Sequence, residues 1–441
     1  MAETQAVLST LTKRVDVVVI GLGFVGLPLA LSYSRKGYRV VGADINAALV
    51  AELQACRSVL LEEAEGQSIQ DIIRECQRKG TFFATSDVGS AIRMASSIIV
   101  TVGIPVKDGC LIFEPLDQVV DTIAKNVEDG ALVLIRGTVV PGTTEERILP
   151  MLERTGKRLG RDFFLAYAPE RIAEGAAFRE FAEMPTLVAG CDEESLVRAE
   201  KLLSQIVSAP VVRVDRVRIA ELSKVVENVQ RDVNIAMVQV FARMCEAMGV
   251  NASELIECSN THKRVNLLQP GPGVGGFCLP NALYYLEPKA EELGVDLTLL
   301  RVARNINDQV PSLIADRVML EMAATQAPKK VAVIGLAMKD FSSDARLSPA
   351  IAVCEKLIEA GCTVSAYDPE VPRSLPYHQE RLEDCLQGAS ALVLLAKQRK
   401  VLLPTAIELV KRMGPNPVVI DTRNWFDDPN AAAVGLRVWR L

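Results

Sequence analysis

The chain has 441 residues, of which 49% are hydrophobic and 24% charged, enough apolar side chains for two or three globular domains. A net charge of −6 without a basic block argues against nucleic acid as a partner. No stretch approaches the roughly 20 apolar residues of a membrane span, and residues 1–14 contain no run typical of a signal peptide. The ten cysteines lack paired spacing, so we expect reduced thiols in a cytoplasmic protein. His262 and His378 are far apart and no CxxC occurs, so we expect no metal site.

Short apolar runs alternate with helical patterns over the first two hundred residues. Residues 15–20 are typical of a buried parallel strand, a glycine turn follows at 21–26, and a helical stretch runs to about residue 36. Further strands are predicted at 38–44, 97–102, 131–135, 163–167, 186–189 and 211–214. This alternation predicts a Rossmann-like, doubly wound sheet with helices on both faces, over residues 1–214.

The apolar spacing becomes helical at about residue 215 and strand-like again after about residue 330. One long amphipathic helix is predicted at 219–248, because apolar residues recur every three or four positions. These residues are Leu222, Val225, Val226, Val229, Val233, Ala236, Met237 and Val240. Strands at 331–335, 363–367, 391–395 and 418–420, with a helix at 349–360, predict a second Rossmann-like unit. The expected fold class is α/β, with two Rossmann-like doubly wound domains, 1–214 and 327–441, joined by a central helical domain, 215–326.

A nucleotide-binding fingerprint lies at the first strand–helix turn. Residues 21–26, Gly-Leu-Gly-Phe-Val-Gly, have the GxGxxG spacing that lets the backbone approach a pyrophosphate at a helix N-terminus. Asp44 closes the second predicted strand, where a carboxylate binds the ribose hydroxyls of NAD and repels a 2′-phosphate. We therefore expect NAD, although FAD uses the same glycine pattern. Residues 335–338 lack the full fingerprint, so we expect a different nucleotide-type ligand there, if any.

The surroundings of Cys278 set it apart from the other nine cysteines. It follows the glycine-rich segment 270–277, and such loops let the backbone approach a ligand closely. A thiol in this position suggests a nucleophile, with a buried structural cysteine as the alternative.

Together the motifs resemble the UDP-glucose/GDP-mannose dehydrogenase family, the nucleotide-sugar 6-dehydrogenases, from about residue 15 to 425. They are GLGFVGLPLA at 21–30, TVVPGTT at 138–144, APERIAEG at 168–175, AELSKVVEN at 220–228, the Cys278 loop, GLAMKDFSSDARLSP at 335–349 and DTRN at 421–424. Segments 231–236 and 264–271 look most like the branch that oxidises UDP-N-acetylhexosamines such as UDP-N-acetylmannosamine or UDP-N-acetylglucosamine. UDP-glucose is the alternative substrate.

The resemblance implies oxidation of a UDP-sugar C6 alcohol to a carboxylate for surface polysaccharide synthesis. Two NAD+ are used, and the intermediates are a thiohemiacetal and a thioester on a cysteine. By the same resemblance, the catalytic residues are Cys278 as nucleophile, Lys224 as oxyanion stabiliser, Glu170 acting through water, Thr138 positioning nicotinamide and water, and Asn228 one helical turn after Lys224.

Other positions match cofactor and substrate contacts of the family. The candidate cofactor-binding residues are Gly21, Gly23, Phe24, Val25, Gly26, Asp44, Thr101, Thr138, Glu174 and Arg346. The candidate substrate-binding residues are Arg171, Lys224, Asn228, Arg231, Arg264, Gly275, Lys339 and Arg423. Arginine suits a diphosphate because its guanidinium donates two parallel hydrogen bonds. Arg264 resembles an arginine that reaches a neighbouring subunit's sugar site, and the long helix resembles one that pairs between subunits, so a homodimer or larger homo-oligomer is implied.

Three positions depart from the family pattern. Ala282 stands where an aspartate usually follows the cysteine, Phe277 replaces a histidine of the N-acetylhexosamine branch, and Arg136 stands where many relatives have glutamate. An alanine cannot accept a proton, and Asn281 beside it cannot act as a base at neutral pH. Three interpretations stay open: a complete four-electron dehydrogenase, one that stalls at aldehyde or thioester, and a catalytically weak binding protein.

Overall fold

Eight strands of the N-terminal region form one sheet whose order reverses beside its first strand. The computed structural model describes residues 14–173, 175–323 and 329–441. The strands up to residue 213 are Val15–Ile20 (β1), Val40–Ala43 (β2), Glu63–Ala64 (β3), Gln67–Ser68 (β4), Phe82–Thr85 (β5), Ala95–Val100 (β6), Val106–Lys107 (β7), Cys110–Leu111 (β8), Ala131–Ile135 (β9), Phe163–Tyr167 (β10), Thr186–Gly190 (β11) and Val211–Arg213 (β12). The sheet order is β12-β11-β10-β9-β6-β1-β2-β5, and β3–β4 and β7–β8 form small hairpins. The reversal between β1 and β6 is the point where open α/β sheets bind ligands.

Helices alternate with these strands, and several begin at a side chain that caps them. They are Gly26–Arg35 (α1), Ala47–Gln54 (α2), Ile69–Arg78 (α3), Val88–Met94 (α4), Glu114–Asn126 (α5), Leu149–Glu153 (α6) after a π-helical turn at Thr144–Ile148, Ala177–Glu183 (α7) and Glu193–Leu203 (α8). Asn46, Ser68 and Asp192 accept hydrogen bonds from the first backbone amides of α2, α3 and α8. Neighbouring strands of the sheet are parallel, except that β10 and β11 are antiparallel.

The C-terminal region forms a second, wholly parallel sheet. Its strands are Lys330–Ile334 (β13), Thr363–Tyr367 (β14), Ala391–Leu394 (β15), Val418–Asp421 (β16) and Arg437–Arg440 (β17), in the order β14-β13-β15-β16-β17. Its helices are Pro349–Glu359 (α13), Leu382–Leu386 (α14) and Ala406–Arg412 (α15), with a 3-10 turn at Ala432–Val434. Val331 and Val333 pack into one core and Ala332 and Ile334 into another, so this sheet is covered on both faces.

Among the described residues, four helices follow the strands of the first sheet in sequence and precede those of the second. They are Val217–Met248 (α9), Ala252–Asn260 (α10), Ala282–Leu293 (α11) and Thr298–Ala323 (α12). The predicted fold class is therefore confirmed: two Rossmann-like α/β parts and a helical middle with one long helix. Within the described part of the chain, no helix has both the length and the apolar character that crossing a bilayer requires.

The described residues form two compact units. The first contains the described residues up to 226 and residues 284–295, and the second contains 227–283 and the described residues from 296 onward. The boundary falls inside α9, so Lys224, Glu170 and Thr138 belong to the first unit and Cys278 to the second.

The long helix is apolar on two faces, where the sequence predicts a single stripe. Val225, Val229 and Ala236 are buried, whereas Leu222 and Val226 from the same predicted stripe are exposed. The exposed apolar side chains of α9 are Ile219, Leu222, Val226, Met237, Val240, Met244 and Met248. Their spacings of three, four and, between Val226 and Met237, eleven residues place them along one side of the helix, although the sequence pattern does not separate this side from the buried one.

On the buried side, α9 is joined to α12 by a charged pair. The Asp232 carboxylate accepts hydrogen bonds from Arg304 Nη1 at 2.6 Å and from Asn307 Nδ2 at 2.9 Å. Both ionised side chains are buried, and burial raises the pKa of Asp232 although Arg304 opposes this. The pair fixes the register of the two helices, because a buried carboxylate left unpaired would be costly.

The first turn of α9 is attached to the segment that follows Thr138. Glu221 is fully buried, and its carboxylate accepts hydrogen bonds from the Gly142 amide at 2.6 Å and from the Thr144 amide at 2.9 Å. The Thr144 hydroxyl donates a third, at 2.6 Å. Since Lys224 lies one turn further along the helix, Glu221 fixes the start of that helix against residues 142–144.

The pKa of Glu221 predicts a specific pH dependence of stability. Burial raises this pKa above 4.5, although the three hydrogen bonds oppose the shift. As pH rises through 4.5, the unfolded chain loses the Glu221 proton first while the folded chain retains it, so the contribution of Glu221 to stability falls with rising pH. We expect the melting temperature of the wild type to fall relative to that of Glu221→Gln between about pH 4 and pH 7. A wild-type advantage that grows over this range would mean that the three donors outweigh burial.

Candidate functional site

The turn after β1 has the shape required of a phosphate-binding loop. Gly21 has a φ of +93°, and a Cβ on Gly26 would collide with the Gly21 carbonyl oxygen, so neither position accommodates another residue without distortion. Thr101 Oγ1 donates to the Ile20 and Gly21 carbonyls at 3.0 and 2.8 Å. A Cβ on Gly23 would meet no atom within 4 Å. The turn is thus closed on its protein side and open at Gly23, beside the N-terminus of α1.

Asp44 lies next to this turn, directly after β2. Its Oδ2 accepts the Leu22 amide at 2.8 Å and its Oδ1 accepts the Asn46 amide at 2.8 Å. Each oxygen keeps one lone-pair site for a ribose hydroxyl. Ile45 follows it and is 80% exposed, a residue that the sequence analysis did not select. An open glycine turn, a helix N-terminus and this carboxylate together fit a dinucleotide.

Thr138 lies at the same edge of the sheet, shortly after β9. A Cβ on Gly137 would lie 2.5 Å from the Val102 carbonyl oxygen, so this segment packs directly on the backbone that follows β6. The Tyr167 hydroxyl donates to the Gly137 carbonyl at 3.2 Å. Thr138 is partly exposed between these fixed neighbours.

Glu170 follows β10, at the same edge of the sheet, and is bound to Arg136. Arg136 Nε donates to Glu170 Oε2 at 3.1 Å, and Nη2 makes a closer contact with the same oxygen. The Arg171 guanidinium donates to the Pro185 carbonyl at 3.0 Å. Glu174, the predicted cofactor contact, lies outside the described residues.

Three predicted site residues of α9, the catalytic Lys224 and Asn228 and the substrate-binding Arg231, share one face of the helix, because they are four and three residues apart. Lys224 is partly buried, Asn228 buried and Arg231 exposed. Asn228 Nδ2 lies 3.5 Å from the Cys278 carbonyl oxygen, a long hydrogen bond to the Cys278 loop.

Arg264 is exposed and its amide donates to His262 Nδ1 at 3.3 Å. This contact gives His262 a local structural role.

The Cys278 loop packs closely on the segment 338–349. The Gly276 amide donates to the Arg346 carbonyl at 3.1 Å. A Cβ on Gly275 would lie 2.6 Å from the Leu347 carbonyl oxygen, and one on Gly276 would collide with the Met338 sulfur. Gly275 is therefore required by contact between two backbones, and Gly276 by its left-handed φ of +76°. Exposure alone does not distinguish the thiol, since Cys110 and Cys258 are exposed as well as Cys278.

Two departures from the family pattern have a physical explanation here. Phe277 stacks on the Arg346 guanidinium, whose carbon lies 4.8 Å from the ring centroid, and Asp344 pairs with the same arginine. Phe277 thus supports a predicted cofactor-site arginine. Ala282 is buried at the start of α11, and its neighbour Asn281 is buried too. At position 282, a buried alanine methyl group thus stands where the family pattern has a carboxylate.

Basic side chains collect at the carboxyl edge of the second sheet. Arg423 pairs with Asp340, with Nη2–Oδ2 at 2.6 Å, and its Nη1 donates to the Pro270 carbonyl at 3.4 Å. Lys339 is exposed beside Asp340. Lys397 and Arg399 follow β15 at the same edge and were missed, although two cations directly after a strand are a usable signal.

The second sheet uses its counterpart of Asp44 differently. Asp368 follows β14 and is buried, and its Oδ2 accepts the amides of Leu336 and Ala337 at 2.8 and 3.2 Å. Gln398 Nε2 donates to the same oxygen at 3.1 Å. This carboxylate is directed into the protein, so it does not offer the ribose contact that Asp44 offers.

Comparison with known proteins agrees with this geometry. Residues 15–207, 218–309 and 332–428 match, in turn, the NAD binding domain, the central domain and the UDP binding domain of the UDP-glucose/GDP-mannose dehydrogenase family. The chain is similar to the UDP-N-acetyl-D-mannosamine dehydrogenase of Pyrococcus horikoshii, with 33% identity over 94% of this chain and 96% of that protein. It is also similar to the UDP-N-acetyl-D-glucosamine 6-dehydrogenase of Pseudomonas aeruginosa, with 30% identity over 94% and 98%.

A solved structure, that of the UDP-D-ManNAc dehydrogenase from Pyrococcus horikoshii, superposes with a TM-score of 0.87 at 32% identity. The superposition covers 96% of this chain and 98% of the Pyrococcus horikoshii chain. Both the sequence and the fold therefore match over nearly the whole length. The chain belongs to the UDP-glucose/GDP-mannose dehydrogenase family, and it is an NAD-dependent nucleotide-sugar dehydrogenase.

Proposed function

We propose that the protein oxidises the C6 alcohol of a UDP-N-acetylhexosamine, UDP-N-acetylmannosamine or UDP-N-acetylglucosamine, to the carboxylate. The observation that carries this proposal is the exposed Cys278 thiol at the end of a glycine loop, which packs on the segment 338–349 of the part that matches a UDP binding domain. A thiol in that position suits attack on an aldehyde of a bound nucleotide sugar. The two similar enzymes, one named for UDP-N-acetylmannosamine and one for UDP-N-acetylglucosamine, support an N-acetylhexosamine and do not select between the two.

The chemistry divides into two oxidations and a hydrolysis. Bound NAD+ supplies a two-electron acceptor for each oxidation, so two molecules are consumed for each sugar. The Cys278 sulfur adds to the C6 aldehyde carbon, and protonation of the oxygen gives a thiohemiacetal. Transfer of a hydride from C6 to the second NAD+ and loss of the hydroxyl proton convert this to a thioester. Water then adds, the C–S bond breaks, and the uronate leaves with Cys278 restored.

The family resemblance divides this work among several residues. Thr138 would position nicotinamide and water, and the Lys224 ammonium would stabilise the oxyanion of each tetrahedral species. Asn228 would hold the Cys278 backbone through its contact with the carbonyl oxygen. On the cofactor side, Asp44 would bind the ribose and the exposed Ile45 would cover the adenine. Lys339 and Arg423 would hold the diphosphate.

We also propose a homodimer in which a second copy covers the exposed apolar side of α9. Seven exposed apolar side chains in regular order on one helix are unusual for a monomer. Arg264 would then complete the sugar site of the other copy. The three-domain division at residues 214 and 326 is the arrangement in which we expect these parts to work.

The first test counts NADH released for each sugar consumed, with UDP-N-acetylmannosamine, UDP-N-acetylglucosamine and UDP-glucose as substrates. We expect two NADH on an N-acetylhexosamine. In Cys278→Ser we expect release to stop at or below one NADH, because the second oxidation needs the thiol. Cys258→Ser, which removes another exposed thiol of the second unit, should keep two. Wild-type stoichiometry and rate in Cys278→Ser would remove the assignment, and no turnover by the wild type would favour a binding protein.

A second test concerns Arg264. Arg264→Ala should raise the KM for the UDP-sugar by about tenfold, a loss of about 1.4 kcal/mol, and leave NAD binding unchanged. Lys263→Ala removes the neighbouring exposed cation and serves as the matched control. Equal sugar KM values in the two variants would contradict a role for Arg264 in the sugar site. Analytical ultracentrifugation should show the dimer in both.

A further inference from the structure

The ion pair between Arg136 and Glu170 suggests a role for Glu170 other than activating water. Arg136 directly follows β9 and Glu170 lies three residues after β10, and these strands are parallel neighbours. Their side chains meet at the carboxyl edge of the first sheet. The Arg136 side chain is 3% exposed and that of Glu170 is 10% exposed, so solvent screens the pair little.

Every acceptor position of the Glu170 carboxylate is engaged. Oε2 accepts Arg136 Nε and Nη2, and Oε1 accepts the amides of Arg171 at 2.7 Å and Ile172 at 3.0 Å. An ionised carboxylate offers about four lone-pair sites, and four donors occupy them. Glu170 could accept a proton from water only by breaking one of these hydrogen bonds.

A second buried carboxylate holds the same part of the chain in the same manner. Glu62 Oε1 accepts the Gly175 amide at 2.6 Å, and its Oε2 accepts the Ala177 amide at 2.9 Å. Glu62 is buried as well. Residues 170–172 and 175–177 are therefore each fixed by a carboxylate that binds backbone amides.

We infer that Arg136 is a positioning residue that fixes the Glu170 carboxylate, and that Glu170 anchors the backbone of residues 170–172 instead of acting as the base that activates water. The catalytic consequence rests on the proposed function, whereas the structural consequence does not. Removing either partner should therefore disturb the same backbone and slow both oxidations together.

Four variants test this inference: Arg136→Met, Arg136→Lys, Glu170→Gln, and the double variant Arg136→Met/Glu170→Gln. We expect kcat to fall on the order of 100-fold in Arg136→Met and in Glu170→Gln, as for misplaced site residues. The ratio of NADH to sugar should stay at the wild-type value. The losses should not add in the double variant, since both changes remove one interaction. Arg136→Lys, which keeps the charge, should recover part of the rate.

A water-activating role predicts different results. Glu170→Gln would release the first two NADH at the wild-type rate and then accumulate thioester, and Arg136→Met would leave hydrolysis unchanged or faster because it frees a lone pair. Either result would overturn the inference. The double variant leaves no unpaired buried charge at positions 136 and 170, so it remains informative if a single variant fails to fold.

Hydrogen exchange gives a readout that needs no turnover. With NAD+ bound, the Arg171 and Ile172 amides should exchange at least tenfold faster in both single variants, while the Gly175 and Ala177 amides held by Glu62 stay at the wild-type rate. Unchanged exchange at Arg171 and Ile172 would refute the anchor. If the wild type oxidises no UDP-sugar, the proposed function fails while this measurement still decides the role of the pair.

Discussion

Close contact between two backbones determines where Cys278 lies. Gly275 and Gly276 lie directly against Met338 and Leu347, where a Cβ on either glycine would meet another atom at less than contact distance. The loop that ends at Cys278 is therefore held by shape, by the amide of Gly276 and by the long hydrogen bond from Asn228 to the Cys278 carbonyl. A larger residue at Gly275 would lift the loop away from the segment 338–349, which follows β13. The proposed chemistry depends on this constraint, because a nucleophile displaced by about 1 Å loses much of its rate.

Buried carboxylates fix several loops of the first unit. Glu62, Glu170 and Glu221 each accept backbone amides from the loops that carry or flank the predicted site residues. Asp44 does the same for Leu22 but remains partly exposed. A carboxylate that accepts backbone amides stiffens the loop that donates them. The acceptor positions of that carboxylate are then occupied and are not available to a ligand. The carboxylate that stays partly open to solvent is thus the better candidate for a ligand, and residues as similar as Asp44 and Asp368 differ in this respect.

The sequence was sufficient for the fold class and for the tight glycine turn after β1. Local patterns predict this strand–turn–helix unit. They are the apolar run at 15–20, the spacing of Gly21 and Gly26, and Asp44 at the end of the next strand. Strand β17 was missed because Arg437–Arg440 has only two apolar residues between two arginines, at a sheet edge, and lacks the run typical of a buried strand. The two apolar sides of α9 were merged because spacing alone does not tell a side packed within the chain from one left exposed.

The site was less predictable because its contacts join distant residues. Arg136 could be noted as a departure, but nothing local indicates that it pairs with Glu170, 34 residues away. The ion pair between Arg423 and Asp340, which are 83 residues apart, cannot be predicted from sequence for the same reason. Charged residues can be recognised as candidates from sequence, but whether each faces a ligand or a partner in the chain depends on tertiary structure.

The central claim is that Cys278 carries the sugar during oxidation. The most direct measurement mixes the protein with UDP-N-acetylmannosamine and NAD+, quenches it in acid within a single turnover, and identifies modified peptides by mass spectrometry. The account predicts an acyl adduct of the oxidised UDP-sugar on the Cys278 peptide, with the peptides of the exposed Cys110 and Cys258 unmodified. An adduct on Cys110 or Cys258, or uronate formed while the Cys278 peptide stays unmodified throughout the turnover, would contradict it.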